Sequence, residues 1–215
     1  LAVIFVMVYA YIKQKKAIRA FLAGLFTYII LFVLGSFPSW LAYLYFLPKK
    51  SVFSVESFDI AGLFLTPASY FSVIETDFVN ALNVKMNLIY AYLLVFVAIF
   101  FFWVYCREKF WPVMKNVRWI QIMIHGGLIL VGAGLGAFYF PNNIVINIFS
   151  FFALSNLILA TIFAWLASVF LNDQVDLPID KLTNAQRPLA TGEVTGEDFR
   201  QLFWVCFVFS LILAI

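Results

Sequence analysis

The sequence predicts an all-α, polytopic transmembrane helical bundle, and three observations carry that prediction. Of 215 residues, 65% are hydrophobic and only 12% charged, and the mean hydropathy is +1.00, whereas soluble domains run nearer roughly 45–50% apolar and 25% charged. A water-soluble globular enzyme is excluded. No Asp, Glu, Lys or Arg occurs from Trp119 to Asn172, and Ala20–Pro48 and Met86–Cys106 are also uncharged. Since a helix needs roughly 20 apolar residues to cross a bilayer, these runs hold several spans. Strict two-residue alternation is absent, which favours helices over an outer-membrane barrel.

Six apolar segments follow in order: about 1–12, 20–46, 87–106, 119–140, 144–171 and 201–215. The chain opens at Leu1 inside an apolar run with no basic region before it, and stops at Ile215 inside another, so it reads as a piece of a longer protein. Basic residues punctuate the segments. Lys13, Lys15, Lys16 and Arg19 follow the first, and Arg107, Lys109, Lys115 and Arg118 precede the fourth. Alternation of sides brings these loops together with the polar 172–200 segment, collecting 11 of the 14 Lys and Arg residues. That side is expected to be cytoplasmic.

The long 47–86 loop contains an uncharged stretch, Ile60–Ile74, broken by Gly62 and Pro67. It is too short for a comfortable span and is expected to be interfacial or re-entrant. Cys106 and Cys206 have no Cys or His nearby and read as packing or lipid-facing residues.

Segment 119–140 carries Gly126, Gly127, Gly132, Gly134 and Gly136, and the next segment carries Ala160, Ala164 and Ser168 at four-residue steps. A tight Pro141-Asn142-Asn143 turn makes the two segments antiparallel neighbours. Their small residues either let the helices approach closely, as the Gly132-x-x-x-Gly136 spacing suggests, or leave room for a lipid-like chain. His125, the single histidine, is read as making an interhelical hydrogen bond, sitting at headgroup level, or touching an acceptor.

The chemistry concentrates in Asn172-Asp173-Gln174-Val175-Asp176-Leu177-Pro178-Ile179-Asp180-Lys181, followed by Leu182-Thr183-Asn184-Ala185-Gln186-Arg187-Pro188-Leu189-Ala190-Thr191-Gly192. Three carboxylates end a long uncharged helix, where ionisable groups are costly and usually functional. An ordinary acidic helix end explains them poorly, because carboxylates at a helix C-terminus oppose its dipole. If the helix runs on, Asn172, Asp176 and Asp180 share one face, with Asp173 adjacent to Asp176. Converging carboxylates repel and are driven to protonate unless a cation intervenes. Mg²⁺ suits them, since it is typically held by one or two carboxylates plus substrate phosphates. Asp173, Asp176 and Asp180 are therefore the candidate metal ligands and catalytic acids. Lys181 and Arg187 are close enough in sequence to contact a diphosphate. Pro178 removes a backbone donor and should kink or end the helix, which puts Asp180 in question on the shared face.

Asn172-Asp173-x-x-Asp176-x-x-x-Asp180-Lys181, with Asn184 and Arg187-Pro188-Leu189-x-x-Gly192 in register, resembles the first aspartate-rich motif of the UbiA-type intramembrane prenyltransferases. The resemblance covers about 118–215. It implies the first part of a UbiA-type domain, incomplete here, preceded by an additional membrane region, 1–117, of unknown role. It further implies that the motif ends the second helix of the family bundle and, with Asn172, Lys181 and Arg187, binds Mg²⁺ and an isoprenyl diphosphate. One departure is that Arg118 is followed by Trp119, where the family often has Pro. By this resemblance the protein is a multi-pass membrane transferase moving a polyprenyl group onto a hydrophobic, commonly aromatic acceptor, with no nucleic-acid partner. Some relatives instead transfer a phosphoribosyl group to a lipid phosphate. The family's second acidic helix end is expected beyond Ile215, so residues 1–215 alone are expected to show no turnover. A rival reading, an ion-coupled transporter, calls for acids near the bilayer midplane in broken helices. The acids here gather at one end of a span.

Overall fold

The computed structural model describes residues 1–50, 54–66, 68–70, 73–75, 77–143 and 145–214. They form two compact units, Leu1–Thr66 and Pro67–Ile215, and the fold is an all-α helical bundle with one small hairpin.

In the first unit α1 (Ala2–Gln14) packs on α2 (Ala17–Phe46) through a short link in which Lys15 is left-handed, φ 49°. The two helices approach closely at Gly24, where an added Cβ would collide with Cγ of Met7. Along α2 only Ala20, Gly24, Pro38 and Ala42 are buried, and Phe21, Phe26, Phe32 and Trp40 stand exposed. A helix that is apolar all round is one whose solvent is lipid or other helices. α3 (Ser57–Leu65) starts with a capping box in which Glu56 and Asp59 satisfy each other's backbone donors. Lys50 donates to Asp59 Oδ1 at 2.6 Å, and that bond, reinforced by the Glu56 N–H, holds the Asp59 carboxyl below its ordinary value.

Among the described residues the 60–74 stretch holds no helix long enough to span, because α3 ends at Leu65; Pro67, Phe71 and Ser72 lie outside the described residues. The second unit opens with strands β1 (Ala68–Tyr70) and β2 (Val73–Glu75), antiparallel with Ser69 opposite Ile74. Its helices are α4 (Phe78–Tyr105), α5 (Arg107–Asn116), α6 (Trp119–Tyr139), α7 (Ile148–Val175), α8 (Leu177–Thr183), α9 (Pro188–Thr191) and α10 (Gly196–Ala214), with a 3-10 turn at Pro141–Asn143.

Among the described residues α2, α4, α6 and α7 are long and apolar enough to cross a membrane. This is a multi-pass membrane protein. α4 starts well before the expected 87, because Asp77 caps it by accepting from the Asn80 N–H at 2.9 Å. The helix thereby carries Lys85 inward, 2% exposed, with its ammonium 5.0 Å from the centre of the Phe149 ring. An aromatic face is one of the few apolar surfaces that attracts a cation, so the charge does not end the helix.

α7 is the centre of this unit. It packs most extensively on α10, and Ala167 and Phe170 of α7 join Phe199 and Cys206 of α10, Val113 of α5, and Leu189 and Val194 in one core. Cys206 is thus a packing residue. Nearer the other end, Val95 of α4, Ala160 and Leu213 form a second cluster, and Asn156 Nδ2 donates to the Leu88 carbonyl at 3.2 Å. α6 also lies against α7, but not through the expected glycine pair. A Cβ added at Gly126 would lie 3.4 Å from Ile158 Cγ2, whereas one added at Gly132, Gly134 or Gly136 would meet nothing within 4 Å among the described residues. Spacing alone brings glycines to one face; only a neighbour positioned there closes the contact. His125 meets the Trp165 ring of α7, centroids 5.6 Å apart, a ring contact between helices.

Candidate active site

Each segment of the motif is placed by a backbone reason. The Asp176 N–H closes the last turn of α7 on the Asn172 carbonyl at 2.8 Å, and α8 begins immediately, with Pro178 in its first turn. Proline there costs no helical bond and its fixed φ favours a new start. The Asn184 N–H then bonds the Asp180 carbonyl at 2.8 Å, and the Arg187 N–H bonds the Asn184 carbonyl at 3.0 Å. Pro188 opens α9, Leu189 is buried in the core, and Gly192 ends the helix at φ 81°, a conformation that strains any residue with a Cβ. Leu189 therefore anchors the loop from which Arg187 extends.

The expected single face of acids does not form. Asn172 Nδ2 donates to Asp176 Oδ2 at 2.6 Å, so those two pair as the four-residue spacing requires. Asp180 keeps the helical step across Pro178, its N–H bonding the Asp176 carbonyl at 2.8 Å, but its carboxylate finds other partners. Asp180 instead meets Asp173 across Arg187, whose Nη1 donates to Asp173 Oδ1 at 3.0 Å and also to Asp180 Oδ2. Asn184 Nδ2 donates to Asp180 Oδ1 at 3.1 Å. Asp173 and Asp180 are both buried, at 2% and 5% exposure; Asp176 is half-buried. Lys181 is exposed and makes no ion pair among the described residues.

Two further contacts come from the end of α5 and the start of α6. Arg118 Nη2 lies 3.4 Å from Asp173 Oδ1, and Asn116 Nδ2 donates to Asp173 Oδ2 at 2.7 Å. Asn116 escaped the sequence reading because 107–118 looked like a basic loop. Phe110, Pro112 and Val113, the buried residues of α5, were the signal of an amphipathic helix there. The same helix is tied to the start of α10 by Lys109 Nζ, 2.6 Å from Asp198 Oδ1. Burial pushes the Asp198 carboxyl up, but hydrogen bonds from Lys109 and Thr195 overrule it and leave it below its ordinary value; the Asp198 bond raises Lys109.

The charges explain the arrangement. Two buried carboxylates are compensated by Arg118 and Arg187, so the inner face needs no metal to be neutral. Among the described residues no group of three His, Cys, Asp or Glu is placed to hold a metal. Mg²⁺ nonetheless commonly takes only one or two carboxylates and draws its remaining oxygens from phosphate and water. Half-buried Asp176, beside the Asn172 side-chain amide, fits that mode; a cage of three protein carboxylates does not describe this geometry.

A polytopic helical bundle thus carries a polar, arginine-clamped aspartate motif at the end of one span. The family model described as the UbiA prenyltransferase family matches residues 145–215, from just before α7 to the end of the sequence given, and this stretch is similar to that family. The match supports a membrane prenyltransferase at the family level. Comparison with curated proteins and with solved structures gave no match.

Proposed function

We propose that the protein transfers an isoprenyl group from its diphosphate to a hydrophobic, commonly aromatic acceptor, using Mg²⁺. The observation that supports this most directly is the division of labour at the end of α7. Arg187 spends Nη1 on Asp173 and Asp180, and its other guanidinium nitrogens have no partner among the described residues. They suit diphosphate oxygens, which a rigid guanidinium binds in a fork. Exposed Lys181 adds a mobile point charge on the same segment.

Asp176 and Asn172 are the residues that would hold the metal, with Asp173 and Asp180 joining only if Arg187 shifts toward substrate. Bound there, Mg²⁺ would neutralise charge on the departing diphosphate. In the transfer, the allylic carbon–oxygen bond breaks with its electron pair leaving on the diphosphate. The acceptor supplies the pair for the new bond and releases a proton.

The site belongs on the cytoplasmic side in this reading. Within the second unit Lys109 meets Asp198 and Arg118 meets Asp173, so the basic 107–118 segment and the 172–200 segment share one end, and basic ends favour the cytoplasm. The deciding experiment supplies radiolabelled isoprenyl diphosphates to membranes carrying the full-length protein. Label attached to an acceptor, dependent on Mg²⁺ and on Asp176, is the expected result; Mg²⁺-dependent label unaffected by Asp176→Asn would remove the site assignment.

A further inference from the structure

The Asp173 carboxylate is almost completely buried, and its three side-chain partners come from outside its own helix. Arg187 lies beyond α8, Arg118 caps α6, and Asn116 ends α5. The two arginines both address Oδ1, so among the described residues Oδ2 depends on Asn116 alone. A carboxylate with one oxygen unfilled in a buried position would rotate or draw water. Rotation of Asp173 would carry Arg187 with it, because the same Nη1 joins Asp173 to Asp180.

We propose that Asn116 is a positioning residue of the diphosphate site: by filling Oδ2 of Asp173 it fixes the guanidinium of Arg187 in the orientation that leaves its free donors for phosphate oxygens. Asn116 touches no substrate in this arrangement and acts through Asp173. Helix α5 is built for the task. Phe110, Pro112 and Val113 are buried, and Val113 lies in the core with Leu189. Leu189 is two residues from Arg187, so one hydrophobic cluster sets both the donor to Asp173 and the arginine that Asp173 holds. Residues 107–118, which precede the matched family region, are then a working wall of the site.

An amide is needed here rather than any polar group. Asp at 116 would set a second carboxylate against Asp173, and Ala would leave Oδ2 empty, whereas Gln keeps an N–H donor on a longer stem. The proposal rests on the diphosphate reading, and its test separates the two. The probe is inorganic pyrophosphate with Mg²⁺, its binding measured on the full-length protein in detergent by the rise in unfolding temperature, with transfer assayed in parallel. We expect wild type to bind, Asn116→Ala and Asn116→Asp to weaken binding at least tenfold, and Asn116→Gln to recover most of the loss. In transfer, the Ala variant should raise KM for the isoprenyl diphosphate more than it lowers kcat. Lys109→Gln, which loosens α5 without touching Asp173, should leave pyrophosphate binding within about twofold of wild type.

Equal binding by wild type and Asn116→Ala would overturn the positioning role, as would a Gln variant no better than Ala, or a wild type that does not bind pyrophosphate. A Lys109→Gln loss as large as the Asn116→Ala loss would reduce the effect to the general stability of α5 and overturn it as well. Binding that follows the expected order in a wild type without transfer would remove the prenyltransferase reading and leave the positioning role standing.

Discussion

The end of α7 presents two faces that differ in kind although their acids are three residues apart. The inner face holds Asp173 at 2% exposure among Asn116, Arg118 and Arg187; the outer face holds half-buried Asp176 with one amide partner. An acid that is buried and paired is expensive to disturb, and one at the surface is cheap to disturb. The inner face should therefore govern both folding and activity, the outer face activity alone.

Arg187→Ala should be the most damaging change to the inner face. It leaves Asp180 with Asn184 and Asp173 with Asn116 and the more distant Arg118. Removing one partner of a buried pair costs about 3–5 kcal/mol, and with the Arg187 side chain 27% exposed the lower end is expected. Denaturant unfolding in detergent should show that loss together with the disappearance of transfer. A protein as stable as wild type would mean that the clamp is not what holds these segments together.

Asp176→Asn should separate the faces. Transfer should fall more than tenfold, an effect above about 1.4 kcal/mol on the barrier, with the unfolding curve unchanged. More than a tenth of the activity surviving would contradict a metal role for Asp176, and a shifted unfolding curve would erase the contrast between the faces.

A smaller effect belongs to the Lys109–Asp198 pair, which tethers α5 to α10 near the inner face. Asp198 is lowered, so its contribution is present above the usual carboxylate pKa of about 4 and is lost as pH falls through its depressed folded value. Lys109 is raised, so its contribution is complete below its usual value of about 10.4 and is lost as pH rises through the folded one. Stability from the pair should be flat across neutral pH and decline at both extremes. Lys109→Gln should remove that part of the pH dependence of the unfolding temperature, and an unchanged acid limb would show that Asp198 draws its stabilisation from Thr195.

The least effect is expected at Gly132. Nothing lies within 4 Å of a Cβ there, and alanine is the better helix former by roughly 1 kcal/mol, so Gly132→Ala should leave unfolding unchanged or slightly improved. At Gly24 the same change collides with the Met7 side chain and should be destabilising. The two variants, measured side by side by thermal unfolding, test whether close packing or helix propensity decides the role of each glycine.

Helices, spans and the polar acidic segment were legible in the sequence because each depends on local quantities. Uncharged runs locate α2, α4, α6 and α7, and the four-residue step from Asn172 to Asp176 gives a real hydrogen bond. Even the break before Asp180 was visible in Pro178, since the ring removes a donor whatever surrounds it. Which acid meets which cation was not legible. Asp173 and Asn116 are 57 positions apart, and no local spacing encodes a pairing of that kind. Lys85 likewise ended an apolar run in the sequence yet lies inside α4, because the Phe149 ring that faces it comes from another helix. Sequence determined the elements and the chemical inventory, since propensity and hydropathy act over a few residues. Tertiary structure alone decided that two carboxylates are clamped while a third stays half-buried, because charge compensation depends on the distances at which packed helices bring remote side chains together.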